Sequence, residues 1–133
     1  MAIKFSETVR NARLDAIETA ISTSAVLKLR TGAPPANVAT ADSGTALVVF
    51  ALPSDWMAAA SGGSKAKTGT WVNTGVAAGD AGHFRIYASD GTTAHIQGIV
   101  TGTTGGDMNL DNINIAIGQV VTISTFSLTD GNA

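Results

Sequence analysis

Apolar residues near the start of the chain recur at the spacing of an α-helix. Ser6 can cap this segment, and Glu7 follows in the first turn, where the helix dipole favours negative charge. One broad face is apolar and comprises Val9, Ala12, Ala16, Ile17, Ala20 and Ile21. The opposite, polar face comprises Thr8, Asn11, Asp15 and Glu18. The pattern predicts a helix over residues 6–22 after an arm of residues 1–5, packed either on its own domain or on a neighbouring subunit.

Beyond the predicted helix, the pattern changes to short β-prone runs separated by Gly, Pro, Asp and Asn. The runs span residues 24–32, 45–53, 69–74, 82–89, 92–101, 107–112, 113–118 and 120–129. This spacing is typical of antiparallel sandwiches and jelly rolls. We therefore predict one mainly β domain over residues 1–133: an N-terminal helix and a sandwich of about eight strands over residues 24–130. The run "ALVVFAL", residues 46–52, is apolar throughout and is expected to be a central strand.

The periodicity near the C-terminus predicts two breaks in the strands. Apolar side chains fall on even positions at Met108 and Leu110, and on odd positions from Ile113 to Ile117. They return to even positions at Phe126. Because a slip of one residue turns every side chain to the other face, each change requires a turn or bulge, expected at residues 111–112 and at 125.

Two segments have the composition of loops. "TGAPPANVATADSG", residues 31–44, cannot donate a full hydrogen-bond ladder, because Pro34 and Pro35 lack N–H groups. "DWMAAASGGSKAKTG", residues 55–69, is expected to hold a short helical turn before the flexible pair Gly62 and Gly63.

The stretch "HFRIYASDGTTAHIQGIV", residues 83–100, predicts a hairpin that is wet on one side. A three-residue loop, Ser89-Asp90-Gly91, pairs Phe84 with Ile96 and keeps the apolar residues on one face. The opposite, polar face then carries His83, Arg85, Tyr87, Thr93, His95 and Gln97. The two histidines do not predict a metal site, because the intervening arginine would repel a cation and no carboxylate of the hairpin shares their face.

Composition excludes several classes of function. Only 14% of the residues are charged, the net charge is −2, and there are no cysteines. Nucleic-acid binding and thiol chemistry are therefore not predicted. The start of the chain lacks the apolar core of a secretory signal, and no stretch is long enough to cross a membrane, so we expect synthesis in the cytoplasm and no membrane partner.

The sequence contains no complete motif of catalysis or ligand binding. "DMNLDN" begins like a calcium loop, but Asn112 stands where Gly is needed and Gly118 where Glu is needed. "GGSKAKTG" lacks the Gly-Lys-Ser/Thr ending of a phosphate-binding loop, and no serine sits in a nucleophile elbow. Trp56 and Trp71 suit the core better than an exposed platform for sugars. The sequence assigns no catalytic residue, metal ligand or cofactor.

Long parts of the chain resemble small structural proteins of tailed bacteriophages and prophages. The resemblance lies in "MAIKFSETVRNARLDAIETAI", "VLKLRTGAPPAN", "GHFRIYASDGTTAHIQGIV" and "MNLDNINIAIGQVVTISTFSLTDG". It implies a virion protein without enzymatic activity: a head decoration or cement protein that binds the major capsid protein on the capsid surface. It also implies a homo-oligomer, a dimer or a trimer.

The expected contact elements are those outside the sandwich core. They comprise the arm with Met1, Ile3 and Phe5, the loop with Pro34 and Pro35, and the loop with Trp56 and Met57. Two alternatives remain open. One is a tail, collar or fibre module that binds glycans, and the other is a small hydrolase that acts on the cell envelope.

Overall fold

One helix and ten strands form the computed structural model, which describes residues 3–102 and 104–133. The helix α1 spans Glu7–Ile21, with Ser6 as its N-cap. The strands are β1 (Val26–Thr31), β2 (Ala46–Ala51), β3 (Ser64–Ala66), β4 (Trp71–Thr74), β5 (Gly79–Tyr87), β6 (Ala94–Gly102), β7 (Met108–Leu110), β8 (Asn114–Ile115), β9 (Val120–Ile123) and β10 (Ser127–Thr129). The predicted helix and the mainly β, sandwich-like architecture are confirmed.

The strands form one large sheet and two small ribbons. The large sheet has the order β2-β1-β5-β6-β7, with β8 paired to the start of β5. Its pairs are antiparallel except β6 with β7, which run parallel. The ribbons are β10-β3 and β4-β9. The break between β9 and β10 falls at residues 124–126, and that between β7 and β8 at 111–113, where the change of parity predicted them.

A continuous hydrophobic core lies between the large sheet and the ribbons. The sheet contributes Leu27, Leu29, Val48, Phe50, Phe84 and Ile86. The ribbons contribute Trp71, Val121 and Ile123. Trp56, Trp71, Phe126 and Phe84 pack in sequence, with ring centroids 6.4, 5.8 and 5.5 Å apart. Both indole N–H groups donate to backbone carbonyls, those of Ser22 and Thr68, as buried tryptophans require.

The strand β2 does not lie at the centre of the sheet, contrary to the prediction. It is the last strand of the ladder, and its apolar run is buried because β4 lies beside it. The side chain of Asn73 on β4 donates to the carbonyl of Val49 at 2.6 Å, and the N–H of Val76 donates to Leu47. The hydrogen bond from the Asn73 side chain thus replaces part of the backbone hydrogen bonding that β2 lacks on its unpaired edge.

The helix packs on its own domain, but in an orientation that its hydrophobic pattern does not predict. Leu14 and Ile21 are buried, whereas Val9 is 42% exposed and Ala12 and Ala16 are exposed. The polar residues of the helix face the protein instead. Their acceptors bind backbone N–H groups of residues 57–63: Glu18 binds Met57, Asp15 binds Ala60, Glu7 binds Gly62 and Asn11 binds Gly63.

This row of hydrogen bonds explains why residues 57–63 contain no helical turn, contrary to the prediction. The N–H groups that a helix would use internally are donated to α1. Gly62 and Gly63 have φ of 62° and 77°, in the left-handed region that glycine tolerates. The segment expected to be flexible is fastened to the helix and leads directly into β3.

Lys65 on β3 completes the attachment of the helix. Its side chain is 1% exposed, and its Nζ lies 2.7 Å from Asp15 Oδ1 and 3.1 Å from Glu18 Oε1. Burial alone would lower the pKa of Lys65, but the hydrogen bonds to Asp15 and Glu18 outweigh it and raise that pKa. The same bond from Lys65 holds the pKa of Asp15 below its usual range. The pair is therefore ionic at neutral pH.

No helix in the described ranges is long and apolar enough to cross a membrane.

Replacing Glu18 by Ala is expected to lower the free energy of unfolding by about 2 kcal/mol, because hydrogen bonds to charged groups contribute about 1.5–3 kcal/mol. The variant leaves the Met57 N–H without its acceptor and removes one of the two carboxylates at Lys65. Urea unfolding followed by circular dichroism measures the change. The control Val9→Ala lies on the exposed face and should change stability by less than about 0.5 kcal/mol. A larger loss for Val9→Ala than for Glu18→Ala would mean that the apolar face, not the polar row, docks the helix.

Candidate interaction surface

The loop between β1 and β2, residues 32–44, covers the polar face of the large sheet. This face carries Arg30 on β1, His83, Arg85 and Tyr87 on β5, and Gln97 on β6. His83, Arg85 and Tyr87 are 0%, 2% and 0% exposed. The expectation of a wet hairpin face is therefore wrong, because the loop that contains Pro34 and Pro35 folds back over it.

Arg85 is the main attachment point of the loop. Its guanidinium donates to the carbonyl oxygens of Asn37 and Thr40 at 3.1 and 2.9 Å. It also donates to Asp42 Oδ1 at 2.9 Å and to Gln97 Oε1 at 2.9 and 3.1 Å. Gln97 in turn donates from Nε2 to the carbonyl of Pro35 at 2.8 Å. The two prolines are thus positioned by side chains of strands β5 and β6.

Asp42 joins the end of the loop to the same network. Its Oδ1 accepts from the Tyr87 hydroxyl at 2.8 Å, and its Oδ2 lies 3.4 Å from Arg30 Nη1. Burial alone would raise the pKa of Asp42, but the hydrogen bonds from Tyr87 and Arg85 and the charge of Arg30 hold it below its usual range. The carboxylate is therefore ionised at neutral pH, which the buried guanidinium beside it requires.

His83 binds the start of the loop. Its Nδ1 lies 2.8 Å from the carbonyl oxygen of Gly32, which can only accept, so Nδ1 carries the proton. Its Nε2 is buried, with no hydrogen-bond partner among the described residues. Gly82 lies directly below Gly32, and a side chain there would collide with the Gly32 carbonyl. The imidazole therefore has a structural role at this position.

The hairpin has the predicted faces but a different register. Arg85 pairs with Gln97 rather than His95, and Ile86 pairs with Ile96. A bulge after Ile86 precedes the loop, in which Gly91 has φ of 69°. Up to the bulge the register shift is two residues, so Arg85, Ile86, Ile96 and Gln97 keep their predicted faces. Beyond the bulge Ala94, predicted on the apolar face, pairs with Tyr87 of the polar face.

The loop of the hairpin spans residues 88–93 and is longer than the predicted three-residue loop, and Asp90 stabilises it. Its Oδ1 accepts from the N–H groups of Thr92 and Thr93 at 2.8 and 2.9 Å, and its Oδ2 accepts from the Thr93 hydroxyl at 2.6 Å. These bonds hold the pKa of Asp90 well below its usual range. His95 is exposed, whereas His83 lies beneath the loop, so the two imidazoles do not form a joint site.

The structure separates the expected contact residues into two groups. Ile3 is 74% exposed, while Phe5, Pro34 and Pro35 are half-buried and remain at the surface. Met1 lies outside the described residues. Trp56 and Met57 are 0% and 1% exposed, which corrects the expectation that they contact a partner: both belong to the core, where Trp56 packs on Trp71.

The start of the chain is held at the surface. The N–H of Phe5 donates to the carbonyl of Asn132 at 2.7 Å, and the guanidinium of Arg13 lies 4.8 Å from the Phe5 ring centroid. Arg13 also pairs with Asp130 at 3.1 Å. The arm at Phe5 is therefore tied to the C-terminal segment, and Ile3 is the exposed apolar residue beyond that point.

Two depressions of the described surface lie near the polar side chains of the sheet. Beside the loop lies a cavity of about 340 Å³, lined by residues 38–42, Arg85 and residues 92–94. The guanidinium there is committed to the four acceptors named above. A groove of about 510 Å³ between β10 and the β6–β7 pair is lined by polar and apolar residues, including Gln97, Asp107 and Phe126. Within residues 3–102 and 104–133, no group of three or more His, Cys, Asp or Glu side chains is placed to hold a metal ion.

Comparison of the chain with protein-family models, with curated proteins and with solved structures finds no match.

Tyr87 is the only tyrosine, so its titration can be followed by tyrosinate absorbance. Burial, together with the hydrogen bond to Asp42 and its charge, raises the pKa of Tyr87 to about 12. The fold thus favours the neutral phenol, and this stabilisation is complete below about pH 10, the pKa of an unfolded tyrosine, and is lost as pH rises through 12. We expect little tyrosinate at pH 11 in the folded protein and half-titration near pH 10 in denaturant. Titration near pH 10 in the folded state would contradict the buried Tyr87–Asp42 bond.

Replacing Asp42 by Asn is expected to loosen the loop. The variant removes the carboxylate that pairs with Arg85 and Arg30, and Asp42 is one-third exposed, so the free energy of unfolding should fall by about 1–2 kcal/mol. Amide exchange should accelerate at residues 37–42. The control Asp55→Asn makes the same chemical change at an exposed position and should have little effect. Unchanged exchange in Asp42→Asn would show that the backbone carbonyl contacts of Arg85 suffice.

Proposed function

We propose that the chain is a structural protein of a tailed-phage virion without enzymatic activity, a decoration or cement protein that binds the major capsid protein on the outside of the head. A binding role is supported by the fact that the polar side chains of the sheet face hold a loop in place. Arg85, Tyr87, Asp42 and His83, which an enzyme could use in catalysis, fasten the loop 32–44 over the sheet. The phage role itself rests on the resemblance of the sequence.

A fixed loop suits recognition of a repeating surface. Association is opposed by the loss of loop and side-chain freedom, and a loop that is already ordered loses less. Pro34 and Pro35 restrict the backbone further. Many copies that each bind assembled subunits stabilise a shell through the linkage of binding to the assembled state, even if a single contact is weak.

The alternatives gain less support from the described residues. A glycan-binding module needs an exposed aromatic platform, and both Trp56 and Trp71 are buried. A hydrolase needs a nucleophile or a pair of carboxylates beside a free base. His83 is bonded to Gly32 beneath the loop, and Asp15 and Glu18 are bound to Lys65.

Co-sedimentation with phage heads stripped of minor proteins tests the proposal. We expect binding at a fixed ratio to the major capsid protein, at high copy number, and heads that resist heating better once the protein is bound. Binding at only a few copies per particle would place the protein at the portal, collar or tail. No binding would make the head assignment wrong.

The contact loop can be tested in the same assay. Ala36 is exposed next to Pro35, and Ala36→Glu would bury an unpaired charge at the contact. We expect binding to heads to weaken by about tenfold or more, which corresponds to about 1.4 kcal/mol. The matched variant Ala16→Glu lies on the exposed face of α1 and should bind normally. If Ala16→Glu weakened binding and Ala36→Glu did not, the contact with the head would lie on the helix and not on the loop.

A further inference from the structure

The ribbon β4-β9 presents an apolar outer face that nothing in the described structure covers. Trp71, Val121 and Ile123 point into the core, so the intervening residues of both strands point outwards. Val72 pairs with Thr122, and Thr74 pairs with Val120, on this outer face. The outward residues are therefore alternating valines and threonines.

The apolar face extends beyond the strands to the end of the ribbon. Gly75 donates to the carbonyl of Gln119 and accepts from the N–H of Gly118, both at 2.8 Å. These bonds bring Val76 and Ile117 to the same end of the ribbon as Val120. Val72, Val76, Ile117 and Val120 are 45%, 60%, 72% and 65% exposed. In the described part of the chain, four of the seven exposed large hydrophobic side chains thus lie on this one ribbon.

The strands that form this face carry no charge, and Asp111 lies at its edge, in a depression that Val120 and Thr122 also line. No Asp, Glu, Lys or Arg occurs in residues 68–79 or in residues 112–129, the two stretches that contain the ribbon. Natural proteins usually protect exposed apolar strands with charged side chains, because such strands otherwise associate. Single exposed hydrophobic residues are ordinary, but a contiguous uncharged group of them marks an interaction surface.

The absence of charge on the two strands favours an uncharged partner surface. A charged surface would lose hydration against this face and gain no ion pair in return. A second copy of the same face offers valine, isoleucine and threonine side chains, and its two strands carry no charged residue that would repel it. Val, Ile and Thr are stiff at χ1, so ordering them at a contact costs little conformational entropy.

We propose that the β4-β9 face is a self-association surface, on which two copies of the chain meet face to face about a twofold axis. In such an interface the same residues of both copies form the contact. Val72 and Val120 lie at its centre, and Thr74 and Thr122 supply polar groups beside them. The proposal assigns a contact surface to the homo-oligomer that the sequence resemblance implies. It does not depend on binding to a capsid.

Sedimentation velocity of the purified full chain over a range of concentrations tests this inference. The wild type is expected to sediment as a dimer of the 13.4 kDa chain, and Val120→Lys is expected to raise the dissociation constant by at least about tenfold. Ile99→Lys is the matched control, because Ile99 is 50% exposed on β6, away from the ribbon. Circular dichroism and thermal unfolding verify that each variant is folded. A wild type that remains a monomer at every concentration would overturn the proposal.

A mixing experiment distinguishes face-to-face contact from contact with another part of the molecule. Val120→Lys and Val120→Glu should each be monomeric alone, and an equimolar mixture should form a heterodimer. If both are monomeric and the mixture also stays monomeric, the face meets a different surface and the twofold arrangement is wrong. Equal loss of association in Ile99→Lys would likewise contradict the assignment. The assay contains no phage heads, so its result is independent of the capsid-binding test.

Discussion

The buried guanidinium of Arg85 is the constraint on which the exposed half of this molecule depends. A cation that is 2% exposed must recover its lost hydration from hydrogen bonds, and the sheet alone provides only Gln97. The remaining acceptors belong to residues 37, 40 and 42 of the loop. The loop must therefore close over β5 whenever Arg85 is in place. The closed loop also buries Tyr87 and His83. The need of Arg85 for acceptors therefore accounts for the loss of solvent exposure along β5.

Lys65 repeats this arrangement on the other side of the protein. It is buried on β3, and its acceptors come from Asp15 and Glu18 of the helix and from the carbonyl of Ala58. Each buried cation thus holds one covering element, the helix in one case and the loop in the other. The chain has few charged residues, and some of them serve inside the fold rather than at the surface. This use of charge leaves extended parts of the surface neutral.

The two surfaces proposed for binding differ in their physical character. The loop with Pro34 and Pro35 is fixed by hydrogen bonds from Arg85 and Gln97. The β4-β9 face carries exposed valine side chains, and its two strands hold no charged residue. A contact at the loop can gain specificity from positioned carbonyl and amide groups, whereas a contact at the ribbon gains from the removal of valine and isoleucine side chains from water. The two surfaces could be used together, since different elements form them.

The sequence by itself determined the helix, the position of most strands along the chain and the two breaks near the C-terminus, because hydrophobic period, capping and turn residues act over a few neighbouring positions. It also determined that Arg85 and Gln97 share a face, since alternation survives a register shift of two residues. Only the tertiary structure decided what covers each face. The polar row of the helix lies against residues 57–63, and the loop covers Arg85, because acceptors distant in the chain meet donors there. Trp56 and Met57 also lie in the core beside distant partners: the Trp56 indole donates to Ser22, and the N–H of Met57 donates to Glu18. Amphipathic patterns indicate which residues share a face, but partners brought together by folding decide which face is buried.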